Sequence, residues 1–293
     1  MKRVLTKKVV GYFLWGLILA AILIVWKFPY GSLQKRLDAV ARTRLGLRFE
    51  VTDASPTLPP GLKLAKCTVR SIEPGSKPIL AATQVYVRVR LLPLLKGDLA
   101  LALRSQVYGG SLQGDIRLAP FYDIKQYQLR LRGEKLRLDD RTDISVLLGR
   151  QLSGQISGNL KLQGGIGDIV NATGGGELRL VEGSCSIDSP YLTTKFLEGL
   201  EVSTAFALSD GILKLNSCQF KGPGLEGTLS GEIKLQSRLT SSMLNLNGKG
   251  QIDPALVNLP PDKRRVAEAF LNRGRELPFK VQGTIEAPQL RLF

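Results

Sequence analysis

Beyond residue 47 the chain alternates apolar and polar positions with a period of two over most of its length. Residues 84–91 read Gln-Val-Tyr-Val-Arg-Val-Arg-Leu, residues 127–133 Tyr-Gln-Leu-Arg-Leu-Arg-Gly, and residues 177–183 Glu-Leu-Arg-Leu-Val-Glu-Gly. Successive side chains of a strand point to opposite faces, so each run predicts a β-strand with one apolar and one wet side. A nine-residue version recurs three times: Gly-Ser-Leu-Gln-Gly-Asp-Ile-Arg-Leu at 110–118, Gly-Gln-Ile-Ser-Gly-Asn-Leu-Lys-Leu at 154–162, and Gly-Thr-Leu-Ser-Gly-Glu-Ile-Lys-Leu at 227–235. In each copy two glycines fall on the apolar side.

Turn signals separate the runs. Prolines and glycines cluster at 56–61 and 93–97, and Asp210-Gly211 between two alternating stretches is a hairpin signal. At about 5–6 residues per strand plus turns, the region accommodates roughly 12–16 strands. Helical spacing interrupts the pattern at 32–45, 143–150, 191–199 and 262–272. The first of these sets Leu33, Leu37, Val40, Ala41 and Leu45 on one stripe, with Lys35, Arg36, Arg42 and Arg44 on the other side. It reads either as a helix lying on lipid head groups or as a plug at one end of the β domain.

Residues 9–26 form an uninterrupted apolar run without a charge, bounded by Lys8 and Lys27. Eighteen helical residues span about 27 Å, close to the roughly 30 Å of a bilayer core. Lys2, Arg3, Lys7 and Lys8 precede it, which predicts a cytoplasmic N-terminus and an exported remainder. A cleaved signal peptide also starts with basic residues. Its apolar core is shorter, however, and the Trp-Lys-Phe-Pro-Tyr that ends this run offers no small-residue cleavage site. The expected organisation is a basic tail (1–8), a transmembrane anchor (9–26), a juxtamembrane helix (27–46) and a β domain (47–293).

Composition narrows the chemistry. The chain carries 41 Lys and Arg against 25 Asp and Glu, a formal charge of +16. That excess favours acidic partners or anionic lipid head groups. Nucleic acid is not expected, because the basic residues are spread along polar strand faces without interleaved aromatics or a recognisable reading motif. Histidine is absent, which removes Ser-His-Asp and Cys-His catalysis and histidine metal sites. Asp139, Asp140 and Asp143 form the tightest acidic cluster, better explained by helix capping and pairing with Arg137 and Arg141 than by catalysis. No catalytic residue, metal site or cofactor is expected. Of the three cysteines, Cys185 and Cys218 are a candidate disulfide in an oxidising compartment, with Cys67 left free; three separate thiols packed as small apolar groups is the alternative.

Leu112, Ile116, Leu118, Ile156, Leu160, Leu229, Ile233 and Leu235, all from the repeated phrase, are candidate linings of an apolar lipid groove. Glycines on the same side would leave room for acyl chains, each buried CH₂ contributing about 0.8 kcal/mol. The alternative is a β-sandwich core in which glycines mark close strand approach.

Residues 205–235 pass through a strand, a Ser-Asp-Gly turn, a second strand and a Gly-x-Leu-x-Gly strand, and residues 277–290 read Leu-Pro-Phe-Lys-Val-Gln-Gly-Thr-Ile-Glu-Ala-Pro-Gln-Leu. Both resemble the C-terminal signature of AsmA-like proteins. The single anchor, the length, Leu-Pro-Pro-Gly-Leu-Lys-Leu at 58–64 and Leu-Pro-Leu-Leu-Lys-Gly-Asp-Leu at 92–99 are most similar to the type II secretion system protein N family. The resemblance implies a curved, antiparallel, AsmA-like sheet, a groove or flattened barrel, in the periplasm and anchored in the bacterial inner membrane. It implies a non-catalytic component of a type II secretion system, meeting other secretion-system proteins through sheet edges. For the wider superfamily it implies a groove that shields phospholipid acyl chains during lipid traffic.

Overall fold

The protein is described here by a computed structural model covering residues 16, 47–57, 61–71, 78–94, 96–120, 124–138, 151–165, 171–186, 193–236, 241–256, 258 and 276–292. The expected helices at 32–45, 143–150 and 262–272, the acidic cluster and, apart from Gly16, the apolar run 9–26 lie outside these residues. Among the described residues no helix is long and apolar enough to cross a membrane.

Fourteen strands follow one another: β1 (Leu47–Thr57), β2 (Gly61–Ser71), β3 (Pro78–Arg90), β4 (Leu99–Val107), β5 (Gly110–Ala119), β6 (Gln126–Leu138) and β7 (Leu152–Gly165), then β8 (Thr173–Ser186), β9 (Phe196–Ser209), β10 (Ile212–Gly222), β11 (Leu225–Lys234), β12 (Met243–Ile252), β13 (Leu277–Thr284) and β14 (Pro288–Leu292). They form one antiparallel sheet whose spatial order is the chain order, β1 to β14. A single helical turn, α1 (Leu91–Leu94), sits between β3 and β4, and a 3₁₀ turn (Pro254–Leu256) follows β12. The mostly β fold read from the alternation is observed, and it takes the form of one curved antiparallel sheet, as the resemblance implied.

Two hairpins show why the turns close where they do. Tyr108 and Gly109 have φ of 49° and 73°, and Asp210 and Gly211 have 52° and 74°. Positive φ at both central residues is what a type I′ turn needs, and its twist matches that of the strands it joins.

The sheet is bent by irregularities within its strands. Register shifts fall between Thr83 and Tyr86 on β3, Gly133 and Leu136 on β6, Leu180 and Gly183 on β8, and Leu215 and Ser217 on β10. At the first three the extra residue is Gln84, Lys135 or Glu182, each with φ near +50°. An extra residue bends its strand and increases the local twist. It also restores the apolar side: Glu134 and Lys135 both point outwards, so Leu136 returns inwards after Gly133.

Of region 191–199, expected to be helical, residues 193–195 are instead the approach to β9, which begins at Phe196, and 191–192 lie outside the described residues. Leu197 and Leu200 are both buried and three residues apart, which imitates helical spacing. Gly199 between them has φ of 67° and flips the pleat, so both leucines face the same side of a strand.

Contacts between elements run overwhelmingly between sequence neighbours, β1 with β2 through to β13 with β14. All fourteen strands belong to one sheet, so a sandwich of two separate sheets is not the architecture found among the described residues. The densest packing lies towards the N-terminal half, where Ala82, Val85 and Val107 are buried and Leu64, Cys67, Leu103, Leu112 and Leu136 pack against them. That cluster draws side chains from five successive strands, β2 to β6, onto one side, which makes the apolar side the inner one.

Candidate functional site

The apolar side can be traced across the sheet by register, since residues directly opposite each other on paired strands share a face. One row runs Leu103, Gly114, Leu131, Leu160, Gly176, Phe206, Leu215, Gly231 and Leu246, crossing from β4 to β12. A second runs Leu101, Ile116, Leu129, Leu162, Gly174, Leu208, Leu213, Ile233 and Leu244 over the same strands. The three copies of the repeated phrase, on β5, β7 and β11, therefore share one continuous floor.

All eight candidate lining residues lie on it. Leu112, Ile116 and Leu118 come from β5, Ile156 and Leu160 from β7, and Leu229 and Ile233 from β11. Leu235 stands just past β11, its N–H donating to the Gly211 carbonyl at 2.7 Å and so keeping it in register. Every one is half-buried, neither sealed in a core nor fully exposed. The alternating burial of β6 and β11 has the same origin: inner side chains shield one another along a curved face while outer ones meet solvent.

The glycines do not leave the notches expected of them. A Cβ on Gly227 would stand 2.6 Å from Cζ of Phe220, its directly opposed partner. One on Gly114 would stand 2.7 Å from Cδ2 of Leu131, and one on Gly158 2.8 Å from Cδ2 of Leu178, again the opposed residues. Phe279 likewise lies over Gly248 and Phe206 against Gly176. Each of these five spaces is filled by a large side chain lying flat across from the neighbouring strand, as aromatic residues do opposite strand glycines, whereas a Cβ on Gly174 or Gly231 would meet neighbouring-strand backbone. Phe220 and Phe279 then meet, ring centroids 6.2 Å apart and tilted by 60°, a favourable aromatic geometry. The floor is smooth rather than pitted. Sequence reading missed these partners because pairing a phenylalanine with its glycine requires the register, although each phenylalanine already stood on the apolar phase of its own strand.

Polar atoms are scarce on this floor. Thr204, opposite Cys218, has a buried hydroxyl with no hydrogen bond of normal geometry among the described residues; the Cys218 thiol is its polar neighbour. Burial raises the Cys67 and Cys218 thiols above their ordinary range, Thr204 offsetting part of the effect at Cys218. None of the three cysteines is in a disulfide. The register does not bring the candidate pair together: Cys185 lies opposite Leu197 and Cys218 opposite Thr204, seven residues along β9, or roughly 23 Å at about 3.3 Å per residue. A disulfide needs Cα atoms within about 7 Å.

The outer side carries the charge. Arg90 pairs with Asp115, Arg117 with Asp98, Arg132 with Glu134 and Arg179 with Glu201. Among the described residues no group of His, Cys, Asp or Glu is arranged to hold a metal ion.

Comparison with protein-family models, curated proteins and solved structures finds no match. A continuous apolar floor on the inner side of a single curved layer can accept extended hydrocarbon.

Proposed function

We propose that this protein is a membrane-tethered, non-catalytic lipid-binding protein that lays phospholipid acyl chains along the inner face of its sheet. The observation that carries this reading is the continuous apolar floor. Apolar rows cross from β4 to β12 on one face of a single sheet, their side chains half-buried except for the buried Leu208 and Leu246. An apolar sheet face of that extent costs about 25 cal/mol per Å² when left against water, and large exposed apolar patches mark binding surfaces. Residues 9–26 would hold the chain in the bacterial inner membrane with the sheet in the periplasm. The resemblance to AsmA-like proteins agrees with this reading.

The experiment is uptake of a fluorescent fatty-acyl probe by the purified full chain, with mass spectrometry of co-purified lipid. Uptake that falls at least about fivefold in Leu160→Asp, which puts a charge on the floor, supports the reading. A protein that takes up no probe and carries no lipid sinks it.

A second reading, a component of a type II protein secretion system, rests on the similarity of residues 58–64 and 92–99 to that family. The open sheet also supports it: β1 and β14 each pair on one side only, leaving edges to which a partner strand can add. A deletion strain separates the two. Lost protein secretion with an intact outer membrane favours the secretion component, and altered envelope permeability with normal secretion favours lipid binding.

A further inference from the structure

The two rims of the sheet differ. In a strictly antiparallel meander, connections alternate between rims. The chain enters β1 at Leu47 on one rim, and the β1–β2, β3–β4, β5–β6, β9–β10 and β11–β12 connections all lie on the opposite one. Seven large apolar side chains of the described residues are exposed. Five of them stand on that far rim: Leu91 (53% exposed), Leu92 (79%), Ile124 (37%), Ile212 (39%) and Met243 (57%).

The two adjacent ones, which include the most exposed, Leu92, belong to α1, and what surrounds them is cationic. Beside α1 a cleft of about 300 Å³ is lined by Arg90, Lys96, Arg117 and Arg130 together with Leu92 and Asp115. Asp115 is engaged by Arg90, and Arg117 is engaged by Asp98. Lys96 and Arg130 make no ion pair with a described residue, so the cleft keeps an excess of positive charge. Among the described residues, the rim's exposed acids, Asp210 and Glu286, sit at the β9–β10 and β13–β14 turns, well along the sheet from this cleft.

Aliphatic side chains projecting beside uncompensated Lys and Arg are the pairing an anionic bilayer surface accepts. The apolar groups enter the acyl boundary while the cations stay with the phosphates, each worth about 1 kcal/mol near such a surface. We infer that the β3–β4 turn is a contact site for the surface of an anionic phospholipid bilayer. Leu91 and Leu92 insert, and the cleft of Lys96 and Arg130 takes a lipid phosphate. The site faces away from the end at which residues 1–46 join the sheet. Leu101 and Ile116 of the floor also border the cleft, but its charged groups belong to the outer side of the sheet and do not depend on acyl-chain binding on the inner side.

The test uses the full chain, its apolar segment held in a nanodisc of neutral lipid, immobilised and exposed to labelled vesicles. Phosphatidylcholine vesicles with roughly one-third phosphatidylglycerol are expected to be captured, and pure phosphatidylcholine vesicles captured far less. Leu91→Asp with Leu92→Asp should lower capture at least about tenfold, and Lys96→Glu with Arg130→Glu should abolish the preference for phosphatidylglycerol. Leu92→Ser alone, at a side chain already open to solvent, should lower capture about threefold and serves if the double variants misfold. Capture of both vesicle types alike, or undiminished capture by Leu92→Ser and the double variants, overturns the inference, as does no capture by the native chain. Leu160→Asp should capture like the native chain, which separates failure here from failure of the acyl-chain reading.

Discussion

Phe279 on β13 lies across Gly248, the residue directly opposite it on β12, and its ring fills the place a Cβ of Gly248 would take. The glycine is small so that the phenylalanine can lie flat. Gly248→Ala is predicted to displace the ring and lower stability by about 1–3 kcal/mol, as overpacking does. In the Phe279→Ala background the same change should cost much less. A double-mutant cycle by denaturant unfolding measures the coupling, and additive costs would show that the ring and the glycine act independently.

Lys135 holds φ of 53° at the β6 irregularity. A β-branched side chain is strained there, so Lys135→Val should lower the melting point by an amount corresponding to about 1–2 kcal/mol. Lys135→Asn, which tolerates that region, should be neutral or slightly stabilising. Equal melting points for the two variants would show that the irregularity relaxes freely.

The buried thiols make stability depend on pH in one direction. Burial raises the Cys67 and Cys218 pKa values, so above the unfolded-chain value of about 8.5 the unfolded chain binds fewer protons than the native one. Their contribution is fully present below that pH and declines as pH rises through the folded values. Cys67→Ala with Cys218→Ala should flatten the loss of stability as pH rises above about 8.5. Without reductant, all three cysteines should become alkylatable once the chain is unfolded; a protected pair would show a disulfide.

Arg117 Nε donates to Asp98 Oδ2 at 3.0 Å, tying β5 to the residue that precedes β4. Asp98 is only 19% exposed, so Asp98→Asn should cost about 0.5–1.5 kcal/mol, more than a fully exposed pair. It also removes a carboxylate from beside the cationic cleft, so vesicle capture should rise where it falls in the Lys96→Glu and Arg130→Glu variant.

Alternation announced most of this sheet, because a strand wet on one side and apolar on the other writes its period directly into the chain. The Asp210-Gly211 turn was equally legible, since few other dipeptides adopt two positive φ values. Where a pleat flips, the period breaks: Leu197 and Leu200 share a face only because of Gly199, and from sequence that spacing reads as helix. The eight lining residues were legible as one face, but the filling of the glycine spaces was not. Gly227 and Phe220 are opposite only through the register of β10 with β11, which a shift between Leu215 and Cys218 resets. The cysteine separation was hidden for the same reason.

Because each strand pairs only with its neighbours in the chain, the sheet behaves as a ribbon assembled hairpin by hairpin. No strand is threaded between others, and apart from the connections 139–151 and 253–276 the loops that must close are short, which favours rapid, sequential zippering. Such a ribbon can be lengthened or shortened by whole hairpins without rewiring the rest, as in repeat proteins. Its reach is thus a quantity that duplication or loss of a hairpin adjusts in steps of about 10 Å, two strands at a time.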